Sequence, residues 1–173
     1  MYEYIPKPDR RPAFFLTLLL SAASVCCMLP TSPALTAPLR ALGVLCALAA
    51  IMLAERFLLR GFSYAVGGDG STDLTVTVLR GVRRGSVLCR VSAIGGKIER
   101  YTSSARSECR AEGIEVINYC VDIFPEVSYI FIPAEALNAA KAPELAHKDE
   151  LCAIRFQPDE ALAELLENMS AAE

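Results

Sequence analysis

The chain of 173 residues is 53% apolar and carries a formal net charge of −3. That weak acidity, with no interleaving of aromatic and basic side chains, argues against nucleic acid as a partner. Seven cysteines at irregular positions, with no C-x-x-C pair, argue against both a disulfide scaffold and a structural zinc site.

Residues 1–11 read as a short polar tail holding Lys7, Arg10 and Arg11. Ala13–Leu29, bounded by Pro12 and Pro30, has no charge at all. At about 1.5 Å of rise per residue it is just long enough to cross roughly 30 Å of hydrocarbon. Pro33 and Pro38 predict a helix-breaking turn over Thr31–Pro38. A second uncharged run, Ala41–Ala54, spans a bilayer only when extended to Leu39 and Leu59. Arg40 and the Glu55-Arg56 pair then lie near the two interfaces, where long side chains reach the headgroups.

Residues 12–60 therefore read as a two-helix transmembrane hairpin. A core helix pair of a soluble protein would show a polar stripe, which residues 13–29 lack. A cleaved signal peptide would still leave the second apolar run to hold the chain in the membrane. Small residues four apart, Gly43 and Ala47, Ala50 and Ala54, and Thr17 and Ser21, predict where the two helices approach closely. Lys7, Arg10 and Arg11 precede the hairpin and Arg56 and Arg60 follow it, against Arg40 alone in the turn. The positive-inside rule then puts both termini in the cytoplasm, in a multi-pass protein of the cell membrane. Reduced thiols fit that compartment.

Residues 61–173 read as one soluble domain rich in strands. Phe62–Val66 is a short strand, and the turn-rich loop 67–72 follows it. Asp73–Leu79 alternates, with Leu74, Val76 and Val78 on one face and Thr75 and Thr77 on the other, the signature of a half-buried strand. Gly81–Gly85 reads as a turn and Ser86–Val91 as the returning hairpin partner. Ile94–Cys109 reads as an irregular connection with one helical turn. Ile114–Asp122 and Val127–Ile132 are further strands, residues 134–149 a helical turn or loop, and Leu151–Phe156 the last strand. Pro158, Asp159 and Glu160 open a C-terminal amphipathic helix whose apolar stripe is Leu162, Leu165, Leu166 and Met169.

Two apolar helices, a strand hairpin carrying Leu79-Arg80-Gly81 and Arg90-Val91-Ser92-Ala93-Ile94, more strands, and a final helix opened by Phe156-x-Pro158-Asp159-Glu160 make a recognisable order. In it the chain resembles bacterial membrane-anchored pleckstrin-homology-like (PH-like) proteins. The resemblance implies an α+β fold: a transmembrane hairpin, then an antiparallel PH-like β-sandwich or barrel closed by a C-terminal helix. It also implies a location at the cytoplasmic membrane face and no defined enzymatic activity.

The residues themselves mark no chemistry. His147, the one histidine, lies in a polar stretch beside no nucleophile pattern. No G-x-S-x-G, Walker or H-E-x-x-H sequence is present, and the loop from Gly67 to Asp73 lacks the helix start or ligand series that a phosphate or cation would need. No catalytic residue, metal or cofactor is implied. Charge is the remaining signal. Residues 80–110 carry eight basic groups against Glu99 and Glu108, and residues 111–173 carry thirteen acidic groups against Lys141, Lys148 and Arg155. Arg80, Arg83, Arg84 and Lys97 are the candidate surface for anionic lipid headgroups or a protein partner. The expected function is a non-enzymatic membrane-anchored interaction module. The alternative is an accessory subunit of a membrane enzyme or transporter complex, which the scarcity of polar groups in the apolar helices disfavours.

Overall fold

Asp9 starts the first long helix. Its Oδ1 accepts a hydrogen bond from the Arg11 backbone N–H at 3.1 Å, and Pro12 falls in the first turn, where a missing N–H leaves no gap in the ladder. The computed structural model describes residues 2–29, 33–67, 71–81, 83–141 and 152–171. Helix α1 (Arg10–Met28) leads to α2 (Pro33–Leu53), which continues as a π-helical segment over Ala54–Leu59. Where the sequence predicts a turn over Thr31–Pro38, the helix already begins at Pro33 and runs through Pro38. Proline suits the first helical position, and Pro38 lies so near the start that it removes a single backbone bond.

Both helices are long and apolar enough to cross a membrane, over Arg10–Met28 and Thr36–Leu59. At about 1.5 Å per residue they reach roughly 28 and 36 Å. Few of their residues are buried within the protein. Phe15 is 66% exposed and Met52 72%, so the outward faces carry bare apolar side chains. Water would penalise that surface and hydrocarbon would not.

The two helices pack along each other. Gly43 is a close-approach point: a Cβ there would lie 3.1 Å from both Cys27 Cβ and the Ser24 carbonyl oxygen. Ala13 and Ala50 are buried, while Thr17, Ser21, Ala47 and Ala54 line a cleft of about 350 Å³ between the helices. The small residues singled out by spacing thus fall on the helix–helix face.

The chain divides into two compact units, one of Pro8–Gly61 with Asp122–Phe124, the other of Met1–Lys7, Phe62–Val121 and Pro125–Glu173. The second holds two four-stranded sheets. In the first sheet the order is β1 (Tyr2–Tyr4), β2 (Arg60–Val66), β3 (Asp73–Arg80) and β4 (Arg83–Ser92). The N-terminal segment, read from sequence as a tail, contributes β1, antiparallel to β2 with Tyr2 opposite Val66 and Tyr4 opposite Tyr64. In the second sheet the order is β5 (Lys97–Arg100), β7 (Tyr129–Ile132), β8 (Cys152–Phe156) and β6 (Glu115–Asn118), with β6 parallel to β8 and the other pairs antiparallel.

Several predicted elements are corrected. Ile94–Cys109 is not irregular: it gives β5 and the start of helix α3 (Ser103–Ala111), whose first turn is capped by Thr102 Oγ1 accepting from the Ala105 N–H at 3.1 Å. The strand predicted over Ile114–Asp122 stops at Asn118, whose Oδ1 accepts from the Cys120 N–H at 3.0 Å and turns the chain. Residues 134–141 form helix α4 (Ala134–Lys141), and the rest of the 134–149 segment lies outside the described residues.

One core lies between the sheets. Phe62, Tyr64, Leu74 and Val76 from the first meet Phe131, Ile154 and Phe156 from the second, and Leu162 and Leu166 of helix α5 (Glu160–Ser170) complete it. Strand alternation puts Ile130, Ile132 and Ala153 on the opposite face of the second sheet, where Ala105 and Cys109 of α3 and Ala136 of α4 cover them. Leu165, placed in the apolar stripe by spacing, is exposed, and Ala163 is buried in its stead. The fold is thus α+β, two apolar helices followed by largely antiparallel sheets, and the described strands form no closed barrel.

Replacing Gly43 by Leu should overpack the helix pair and cost about 1–3 kcal/mol. Thermal unfolding of the full chain in detergent checks this, with a lower midpoint than the unaltered protein expected.

Candidate functional site

The basic groups divide between the two sheets. Arg80 ends β3 and Arg83 starts β4, and the two are directly paired, leaving only residues 81 and 82 between them. Gly81 has φ +62°, a conformation that suits glycine and closes the hairpin tightly. The turn predicted over Gly81–Gly85 is therefore shorter, and Arg84 is within β4, opposite Leu79. Register shifts near Val76 and Thr77 add local twist to the hairpin.

Lys97 is not part of this tip. Strand β4 has ten residues, so at about 3.3 Å per residue its far end lies roughly 30 Å from Arg83, and Lys97 follows that far end in β5. Its Nζ pairs with Glu99 at 2.8 Å. The hydrogen bond to Glu99 raises its pKa, partly offset by burial and reinforced by the charges of Glu99 and Glu108. Other cations are engaged elsewhere in their own sheets. Arg90 donates to Asp73 at 2.8 Å and to Ser71 at 2.9 Å. The Arg155 guanidinium stacks 3.8 Å from the centre of the Tyr101 ring, and its Nε donates to Ser128 Oγ at 3.1 Å.

The acidic C-terminal half supplies the complementary feature. Asp159, Glu160, Glu164 and Glu167 line a groove of about 400 Å³ along α5, with Tyr129 and Ala163 among its apolar walls. Asp159 Oδ1 caps the helix by accepting from the Leu162 N–H at 3.0 Å, and its Oδ2 accepts from the Tyr2 hydroxyl. The N-terminal strand is therefore fastened both to the first sheet and to the start of the last helix. Nothing in sequence spacing signals a contact between residues 2 and 159.

All seven cysteines are free. Burial, and then the neighbouring Cys152, push the Cys89 thiol up, and burial with the nearby charge of Glu99 does the same at Cys109. Among the described residues no group of three His, Cys, Asp or Glu side chains could hold a metal ion. His147 and residues 68–70 of the loop from Gly67 to Asp73 lie outside the described residues. No family model, curated protein or solved structure matches the chain.

The hydrogen bond to Asp159 is the first cause of a raised Tyr2 pKa, with burial and the carboxylate charge adding to it. The neutral phenol is favoured in the folded state, so the stability it contributes is complete below the unfolded value of about 10 and is lost as pH rises through the raised one. Tyr2→Phe should therefore lower the denaturation midpoint at about pH 8, and its deficit should shrink by about pH 11. Denaturant titrations of both proteins at the two pH values provide the comparison.

Proposed function

We propose that the chain is a non-enzymatic, membrane-anchored module that presents a sheet-rich α+β domain to a protein partner or to lipid headgroups. One observation carries this reading: the apolar hairpin leaves one sheet and returns to it. Strand β1 precedes α1, strand β2 follows the π-helical segment, and the two are antiparallel neighbours. A chain that crosses a bilayer twice between paired strands must keep both flanks on one side. The basic bias of Lys7, Arg10, Arg11, Arg56 and Arg60 supports the cytoplasmic side.

The paired Arg80 and Arg83, with Arg84 beside them, are the part of the domain we assign to recognition. A hairpin tip whose sequence carries three arginines suits phosphate or carboxylate, because a guanidinium can bind two oxygens at once. The likeness to PH-like domains forms part of the proposal. It is supported by the strand hairpin, by the sheet core, and by a terminal helix that buries Leu162 and Leu166 in that core. Little supports a transport role: Ser21, one of the few polar groups within the hairpin, spends its hydroxyl on the Thr17 carbonyl at 2.8 Å.

A photoreactive residue at exposed Val87 in β4, in membranes containing the full chain, should capture the tip's partner or lipid. At about 1 kcal/mol per basic group near an anionic surface, Arg83→Glu with Arg84→Glu should lower the yield by about tenfold or more. An unchanged yield would remove the tip from the proposal.

A further inference from the structure

A three-residue loop belongs structurally with the apolar helices although the sequence places it in the middle of the soluble domain. Asp122–Phe124 falls in one compact unit with Pro8–Gly61. The Asp9 backbone N–H donates to Asp122 Oδ1 at 2.8 Å, and Asp9 is the N-cap of α1. The loop is thus fastened to the residue at which the chain passes from polar to apolar. Phe124, at its end, is 74% exposed, more than any other large apolar side chain described, including those on the outer faces of α1 and α2. Pro125 follows it and disfavours helical backbone at Phe124. Arg10 and Arg11, next to Asp9, are also exposed.

We propose that Asp122–Phe124 is an interfacial membrane anchor, with the Phe124 ring seated at the boundary between headgroups and acyl chains of the same bilayer. The level of the bilayer identifies this occupant. If Ala13 onward lies in hydrocarbon, Asp9, Arg10 and Arg11 lie among the headgroups, and a loop bonded to Asp9 lies with them. An exposed aromatic ring on a loop bonded to an arginine-bearing helix start is a composition that settles in that zone. The placement holds for either orientation of the hairpin. It makes a third membrane contact besides the two helices. The inference rests on reading α1 and α2 as membrane-spanning.

The chain has no tryptophan, so Phe124→Trp and Leu48→Trp each create a single fluorescent reporter. Both replaced side chains are exposed, and Leu48 lies near the middle of the second span. The full chain would be reconstituted in phosphatidylcholine–phosphatidylglycerol vesicles whose acyl chains carry bromine either near the headgroup or near the midplane. The expected result for Phe124→Trp is blue-shifted emission, quenched more by shallow than by deep bromine, and for Leu48→Trp the reverse depth order. If Leu48→Trp is quenched by deep bromine while Phe124→Trp is quenched only by aqueous iodide, the loop stands in water and the proposal is overturned. If Leu48→Trp is unquenched by bromine at either depth, the spanning reading fails and the anchor fails with it.

Discussion

The antiparallel pairing of Tyr2–Tyr4 with Tyr64–Val66 is the constraint on which the rest of the chain depends. These strands are the two ends of a loop of more than fifty residues that contains both apolar helices. Closing so long a loop has an entropic cost that grows only slowly with length, and a helical hairpin spans it with little residual freedom. Burial within the protein covers few of the hairpin's side chains, so under the proposed reading bilayer insertion would supply its driving force. If the hairpin enters a membrane as proposed, the strand pairing requires that the chain come back to the same face.

The soluble unit uses this tether twice. Tyr2 reaches Asp159, so the first strand and the cap of the last helix stabilise one another. Tyr64, fully buried in the strand that β1 pairs with, donates its hydroxyl to the Tyr119 carbonyl at 2.8 Å and meets the Phe156 ring edge-on at 5.3 Å. An aromatic pair of this geometry adds about 0.5–1.5 kcal/mol beyond its area. The β3–β4 tip is formed by a two-residue connection between the paired Arg80 and Arg83.

What the sequence disclosed followed from periodicity and length. An uncharged stretch of seventeen residues can be read without a partner, as can the alternation of Leu74, Val76 and Val78, each of which is buried. The stripe through Leu162, Leu166 and Met169 was legible for the same reason. Elements defined by a distant partner were not. Strand β1 is three residues long and ends beside Pro6, so only its pairing with β2 makes it a strand. Helix α3 is polar, and it is held by a threonine cap and two small buried side chains, Ala105 and Cys109, that carry little hydrophobic signal. The parallel pairing of β6 with β8 joins residues about 37 apart in sequence, and neither short run announces it. Among the candidate residues, Arg80 and Arg83 are register partners and Arg84 follows in β4, a local arrangement that a hairpin makes legible. Lys97 was grouped with them by sequence distance, while the ten-residue strand between them carries the chain away from the tip and into the second sheet, where Lys97 starts β5. Pro38 shows the converse: a strong local breaker is tolerated where the helix has only just begun.

The strand pairing can be tested directly in the membrane. Glu3 and Ala65 are register partners, and directly opposed antiparallel residues have Cα atoms about 4.5–5.5 Å apart, within the range a disulfide spans. The measurement is oxidative crosslinking of the Glu3→Cys, Ala65→Cys chain in isolated membranes, with the linked peptides identified by mass spectrometry against the native cysteines. Rapid intramolecular linkage of positions 3 and 65 is the predicted result, because both flanks of the hairpin meet on one side in one sheet. Linkage absent under conditions where the native thiols react, or found only between separate chains, would contradict the tethered hairpin on which this architecture rests.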